Sequence, residues 1–324
     1  IPASNQKILS SAFSLDNLGP NYLLKTSLKE MSSGGLYFDA SGDPDFDKRH
    51  LDELLRGLNS KEFNTGIKLP ILITRSKKNT WWPPSWSYSD RKEEYGAPIT
   101  KYSIASNAST NALNNPIDNF INELNTSLVR NNLSSKYFIK PVYNDPVDFA
   151  STIKSVNSAP LYILLNLVNS ESHNYTAEVV FRHSLNNWSH DFPNVKYTKW
   201  LNDQNIDSDD FIFADASGLS RENRVTTYGL SQFLRRMQLS RYSDYYFSSF
   251  SILGVRGSLK NVKAPINLKG RILAKSGRLS NVRSISGIIL GKDKIFSIIV
   301  NNKENSTKNI INILSIVDNT NYCT

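Results

Sequence analysis

The chain has 324 residues, 39% hydrophobic and 21% charged, enough to bury one large core or two ordinary ones and too apolar for general disorder. Its formal net charge of +9 suits a polyanionic partner or a generally basic surface, but Lys and Arg are scattered, with no long basic block and no nucleic-acid-binding motif. The single cysteine, Cys323, excludes an internal disulfide framework and a multi-cysteine metal site, and no apolar run approaches the roughly 20 residues of a membrane helix.

Residues 4–18 read as a helix, with Ile8, Ala12 and Leu15 at helical spacing and Gly19-Pro20 as its stop. A strand at 35–39 and a tight turn at 41–45 follow. Asp43 and Asp45 in that turn could suggest a metal loop, but SGDPD is the ordinary sequence of a turn. Residues 47–58 read as helix and 68–75 as strand. From Trp81 to Asn115 the chain is irregular, rich in Trp, Pro, Ser and Asn, and the Trp81, Trp82 and Trp86 cluster suits either packing or cover over a cleft. A helix is expected at 117–130, a strand at 136–143, and two apolar helices at 160–169 and 175–183 broken at ESHN. FIFADASG (211–218) reads as a strand into a turn, and 226–237 as a helix. Three closely spaced strands, 270–277, 283–290 and 294–301, predict an antiparallel meander before a last helix at 306–317. Helices at both ends and a late antiparallel sheet predict an α+β fold, helices covering a sheet.

Three short motifs carry chemistry. Ser4 and Lys7, three apart at a helix start, share one face with Cβ atoms about 5–6 Å apart. A serine hydroxyl is a poor nucleophile until a neighbour takes its proton, and a lysine can do so only if its pKa is lowered. Alone, Ser-x-x-Lys recurs by chance. Ser172-His173-Asn174 lies at the break between the two apolar helices, where a hydroxyl and an amide two apart can both point into one cleft. Lys275-Ser276-Gly277 ends a strand and offers a cation for a carboxylate, a hydroxyl, and a close backbone approach. The three together, on helix start, inter-helix loop and strand, follow the order Ser-x-x-Lys, Ser-x-Asn, Lys-Thr/Ser-Gly of penicillin-recognising enzymes. Ser184-Leu185-Asn186 is a second Ser-x-Asn, set aside because it follows the helix that Ser172–Asn174 should precede.

At these residues the chain resembles the D-alanyl-D-alanine carboxypeptidase/endopeptidase family, the low-molecular-mass class C penicillin-binding proteins. PASNQK (2–7), LGP (18–20), GDP (42–44), YGAP (95–98) with Asn107, SHNYTAEVVFR (172–182), DASGLSRENRVT (215–226) and AKSGRLSNVRSISGII (274–289) carry the resemblance over most of the sequence. It implies a penicillin-binding/serine β-lactamase-like catalytic domain, residues 1–27 and 150–324, with an inserted domain at 28–149 that lacks the further insertion of larger members. It implies that Ser4 is acylated, Lys7 is the base, and Ser172 relays protons. Asn174 would orient substrate and Lys7. Lys275 and Ser276 would bind the terminal carboxylate, with Gly277 and Asn107 also lining the substrate. Backbone N–H groups of Ser4 and Arg278 would form the oxyanion hole. No metal or cofactor is implied. The expected partners are peptidoglycan stem peptides and, as covalent inhibitors, β-lactams; nucleic acid is not expected, and the charge is compatible with peripheral membrane or wall contact. The expected location is the periplasm or envelope of a bacterium, with an export signal and leading strand sequence ahead of Ile1. A β-lactamase and a catalytically weak wall-binding protein are the rival readings on the same scaffold. The chain departs from the family pattern at His173, Ala216, Ser276 and Arg278. His173 is expected to point away from the cleft, and Asp215 and Arg221 to brace a turn.

Overall fold

A computed structural model describes residues 1–58, 67–189, 194–301 and 307–320; Cys323 and the first residue of the expected 306–317 helix lie outside them. In chain order, a 3₁₀ turn at Ala3–Asn5 leads into α1 (Gln6–Leu18), followed by β1 (Lys25–Met31), β2 (Leu36–Asp39), α2 (Lys48–Leu55), β3 (Leu69–Thr74), α3 (Pro116–Arg130), β4 (Tyr137–Val142) and β5 (Phe149–Asn157). Then come α4 (Leu161–Asn169), α5 (Asn174–Leu185), α6 (Asn194–Asp203), β6 (Phe211–Ile212), β7 (Arg224–Val225), α7 (Thr227–Gln238), α8 (Ser243–Ser248), β8 (Ser251–Ile252), β9 (Ile272–Leu279), β10 (Val282–Ile289), β11 (Lys294–Val300) and α9 (Thr307–Asn319). The chain divides into two compact units: Ile1–Tyr22 with Pro83–Ser87 and Pro160–Thr324, and Leu23–Trp82 with Tyr88–Ala159.

The second unit holds a five-stranded sheet ordered β4-β3-β2-β1-β5. β1 pairs antiparallel with β2 and β5, while β2, β3 and β4 run parallel. Its core mixes aliphatic side chains with packed rings: the Phe120 ring meets Phe38 at 5.1 Å and Tyr102 at 5.2 Å, both edge to face. Asp47 caps α2 by accepting from Arg49 and His50 N–H, and the His50 ring takes the Asp47 N–H in return. Asn115 caps α3, with Pro116 in the first turn, where its missing N–H costs nothing. Asp43 accepts from the Asp45 N–H, a local turn bond.

Two strands of this sheet were not expected. β1 (KTSLKEM) and β5 (FASTIKSVN) are mostly polar, and Val156 is the one buried side chain of β5. Backbone pairing with each other makes them strands, so no apolar alternation announces them. Because they complete the second unit's sheet, that unit starts before residue 28 and ends after residue 149, and Pro83–Ser87 returns to the first unit.

In the first unit, α1 packs against α4 and α5. The expected meander is present and is extended by β8, giving an antiparallel sheet β11-β10-β9-β8. Ile272, Ala274, Ile285, Ile289 and Phe296 from the sheet join Ile310, Ile311 and Leu314 of α9 in one apolar cluster. The register sets Lys275 opposite Ser286 and Gly277 opposite Ser284. The strand into a turn expected over 211–218 is observed as the short β6 followed by a loop in which Asp215 accepts from Gly218 and Ser220 N–H. The α+β layering expected from the sequence is the observed class.

Candidate active site

The site is assembled in the first unit from the start of α1, the α4–α5 connection, the loop after β6, and β9. Ala3 has a positive φ of 49°, which turns the chain into the Ala3–Asn5 turn. Pro2 O accepts from Ser284 Oγ at 2.5 Å, and Asn5 Nδ2 donates to Ser286 Oγ at 2.7 Å, so the segment is fastened to β10 on both sides of Ser4. Gly277 lets β9 come equally close: a Cβ there would stand 2.2 Å from Ser284 Oγ and 2.9 Å from both Pro2 O and Ser4 N.

Ser4 is half-buried, whereas Lys7, one turn on, is fully buried. Lys7 Nζ lies 3.2 Å from Ser4 Oγ and donates to Asn174 Oδ1 and to the Ser217 carbonyl, each at 2.6 Å. Burial pushes the Lys7 amine down to about 7, against the opposing pull of Asp215 and Glu178. At neutral pH a substantial fraction is therefore the free amine, the form that can take a proton from a hydroxyl.

Ser172 adopts a left-handed backbone (φ 64°), a conformation that costs a non-glycine residue about 1–3 kcal/mol and concentrates at functional sites. Its Oγ accepts from Lys275 Nζ at 2.8 Å; the same ammonium donates to Ser276 O at 2.7 Å. Lys275 is fully buried, and its pKa is held well below the ordinary lysine range by burial first and by the charge of Lys7 second. Ser276 Oγ lies 2.7 Å from Ser258 Oγ, which is 3.0 Å from Ser251 Oγ. Hydrogen bonds thus join Ser4, Lys7 and Asn174 in one group and Ser172, Lys275 and Ser276 in another, and Gly277 lets β9 lie close against Ser4 N. Arg278, next along β9, is exposed and stands opposite Arg283.

His173 bonds through Nδ1 to Thr176 Oγ1 at 2.7 Å. Burial, then the charge of Lys7, lowers it to about 4, so it is neutral at physiological pH. Asn107 belongs to the second unit and is fully buried; its amide nitrogen donates to Pro98 O and Thr100 Oγ1 and so braces its own loop. Likewise Trp81 and Trp82 pack within the second unit, with indole N–H groups on Ser76 Oγ and Gly96 O. Trp86 belongs to the first unit and donates to Asp215 Oδ2 at 2.7 Å.

Asp215 does brace a turn: it also accepts from Gly218 N, Ser220 N, Ser217 Oγ and Asn223 Nδ2. Arg221 donates to Ser280 O at the β9–β10 turn. The sequence reading missed two contributors, the Ser217 carbonyl and Glu178, which accepts the Ala216 and Ser217 N–H groups at 3.0 and 2.9 Å. No local signal marks Glu178, because its partners lie 38 and 39 positions away in the sequence.

The sequence model of the D-Ala-D-Ala carboxypeptidase 3 (S13) family matches residues 1–127 and 110–320. The chain belongs to that family. S13 membership makes it a serine-type peptidase, a hydrolase, and the S13 fold is borne out by solved structures. Penicillin binding protein 4 of Haemophilus influenzae aligns with a TM-score of 0.80 at 17% identity, over 95% of this chain and 86% of that one. The same protein complexed with a β-lactam aligns at 0.71 and 19%, over 95% and 86%. A predatory peptidoglycan endopeptidase of Bdellovibrio bacteriovorus aligns at 0.58 and 17%, over 98% and 84%. No curated protein matches the chain by sequence. Among the described residues, no helix is long and apolar enough to cross a membrane.

Proposed function

We propose that the chain is a serine D-Ala-D-Ala carboxypeptidase, able also to cut D,D cross-links, that acts on peptidoglycan stem peptides through an acyl-enzyme on Ser4. The observation that carries this is Lys7: a fully buried amine held near neutrality, 3.2 Å from a half-buried serine hydroxyl, with its two other contacts fixed on Asn174 and Ser217.

In acylation, Ser4 Oγ bonds to the carbonyl carbon of the penultimate D-Ala while Lys7 accepts the hydroxyl proton. The C–N bond breaks, and the proton reaches the departing D-Ala nitrogen through Ser172, which Lys275 holds. Backbone N–H groups of Ser4 and Arg278 stabilise the oxyanion; losing one such donor costs about 10²–10³ in rate. Lys275 and Ser276 receive the terminal carboxylate. Water then cleaves the ester and regenerates Ser4, with Lys7 again taking the proton. A β-lactam enters the same first step, but the amine it frees stays tethered to the acyl group. The peptidoglycan substrate places the protein outside the cytoplasm, in the bacterial envelope, where its net charge of +9 suits an anionic wall.

Intact-mass measurement after incubation with benzylpenicillin is the direct test. One penicillin mass is expected on the wild-type chain and none on Ser4→Ala. A folded wild-type chain that never gains the mass sinks the reading. Release of the adduct within seconds would favour a β-lactamase, and peptidoglycan binding without acylation would favour a wall-binding protein.

A further inference from the structure

Lys7 touches three oxygens, and two of them sit on side chains that the three motifs supply. The third, the Ser217 carbonyl, belongs to a loop, and a loop carbonyl is only as well placed as its peptide plane. The N–H of that plane, on Gly218, is held by Asp215 Oδ1 at 2.7 Å, and Glu178 holds the two peptide planes that lead into it. From the second turn of α5 its Oε1 accepts the N–H of Ala216 and that of Ser217, at 3.0 and 2.9 Å. Ser10 Oγ on α1 donates to the Ala216 carbonyl at 2.6 Å, and Gly218 follows with a left-handed φ of 78°. A Cβ at Gly218 would stand 2.0 Å from Ala3 O, so the loop lies directly on the turn that carries Ser4. Asn174, the other firm anchor of Lys7, is on the same helix one turn before Glu178.

We propose that Glu178 is a positioning residue of the nucleophile centre: by holding the Ala216 and Ser217 N–H groups it fixes the two peptide planes before the Ser217 carbonyl, and together with Asp215, which holds the Gly218 N–H of that carbonyl's own plane, it aims the carbonyl that holds the Lys7 amine against Ser4. One face of α5 thus anchors Lys7 twice, directly through Asn174 and indirectly through Glu178.

The electrical surroundings agree. Glu178 is fully buried and faces Asp215 on the loop, Lys7 on α1 and Arg182 on its own helix. Burial, then the charge of Asp215, pushes its carboxyl up to about 8, so at neutral pH it is mostly uncharged and accepts its two bonds without adding an anion beside Lys7. When ionised, it favours the protonated form of Lys7.

This inference rests on the acyl-enzyme reading, and the experiment separates the two. Pre-steady-state labelling with a fluorescent penicillin is run from pH 5.5 to 9 on wild type, Ser4→Ala, Glu178→Ala and Glu178→Gln, recording the labelled fraction, the noncovalent Kd and the acylation rate constant. Equal labelling of wild type and Ser4→Ala, or none of either, defeats the acyl-enzyme reading itself. If Ser4 is required, Glu178→Ala should cut the acylation rate constant at least tenfold with Kd unchanged and the labelled fraction still complete. Glu178→Gln, whose amide oxygen can accept the same two N–H groups, should recover the rate to within about threefold. Rescue by Gln at unchanged Kd is the signature of the two N–H bonds, which volume alone at this position would not restore. Should Glu178→Ala fail to fold, Glu178→Met, of similar size but with no acceptor oxygen, takes its place and should show the same tenfold loss. A Gln rate constant no better than that of Ala or Met, or an Ala or Met rate constant within twofold of wild type at full labelling, overturns the proposal.

Discussion

The two units bury opposite chemistries. The second encloses aromatic and aliphatic side chains, with Phe38, Phe46, Tyr102 and Phe120 ring on ring. The first encloses, beside its apolar cluster, five Lys, Arg, Asp or Glu side chains that are at most 1% exposed: Lys7, Glu178, Arg182, Asp215 and Lys275. Buried rings stabilise; buried charges cost desolvation that their partners offset only in part. Buried groups with shifted pKa values are candidates for chemistry. The lowered amines of Lys7 and Lys275 and the raised carboxyl of Glu178 are all found in the first unit.

The comparison predicts where substitutions should hurt. The largest effect belongs to Lys7→Met, which should lower the rate of penicillin acylation by about 10²–10⁴ through loss of the base, while urea unfolding shows equal or greater stability. A large loss of stability instead would mean that Lys7 is structural. Phe120→Ala should show the reverse signature, destabilising by about 3–5 kcal/mol in the same urea experiment through the cavity it leaves. Gly277→Ala forces a Cβ onto Ser284, Pro2 and Ser4 N. It should cost about 10²–10³ in acylation, the price of a displaced oxyanion donor, with a much smaller change in stability.

The pH dependence is next in size. A lowered lysine pKa means that the free amine accumulates as pH rises through about 7. The acylation rate should therefore climb about tenfold per unit below that point and level off above it. A midpoint above 9 would show an ordinary lysine and remove the distinction between the two units. The smallest effect is expected for His173→Ala. His173 stays neutral and bonds to Thr176, so its removal should change acylation less than about threefold across pH 6–8.

Much of the site was legible because its residues are close in sequence to others that explain them. Ser4 and Lys7 are one helical turn apart, and Lys275 to Gly277 are consecutive on a strand. Helices α3 and α7 and the β9–β11 meander announced themselves by period and by turn residues. Less legible were elements whose reason lies elsewhere in the chain. β1 and β5 are strands because they pair with each other across more than a hundred residues. Asn107 matched a motif, yet nothing in the sequence says that its amide nitrogen donates to Pro98 and Thr100. Glu178 looked like one more polar residue on a helix, and its partners Ala216 and Ser217 lie 38 and 39 positions away.

The sequence by itself determined the α+β class, the three motifs and their order, and the family, because each rests on local spacing or on a run of matching segments. Tertiary structure alone decided that Lys7 is buried, that its amine is lowered, and that a carbonyl from the 215–218 loop is its third contact. The reason is physical. Helical spacing can put an amine beside a hydroxyl, but only the packing of α5 and the 215–218 loop around it removes the water that would keep that amine charged.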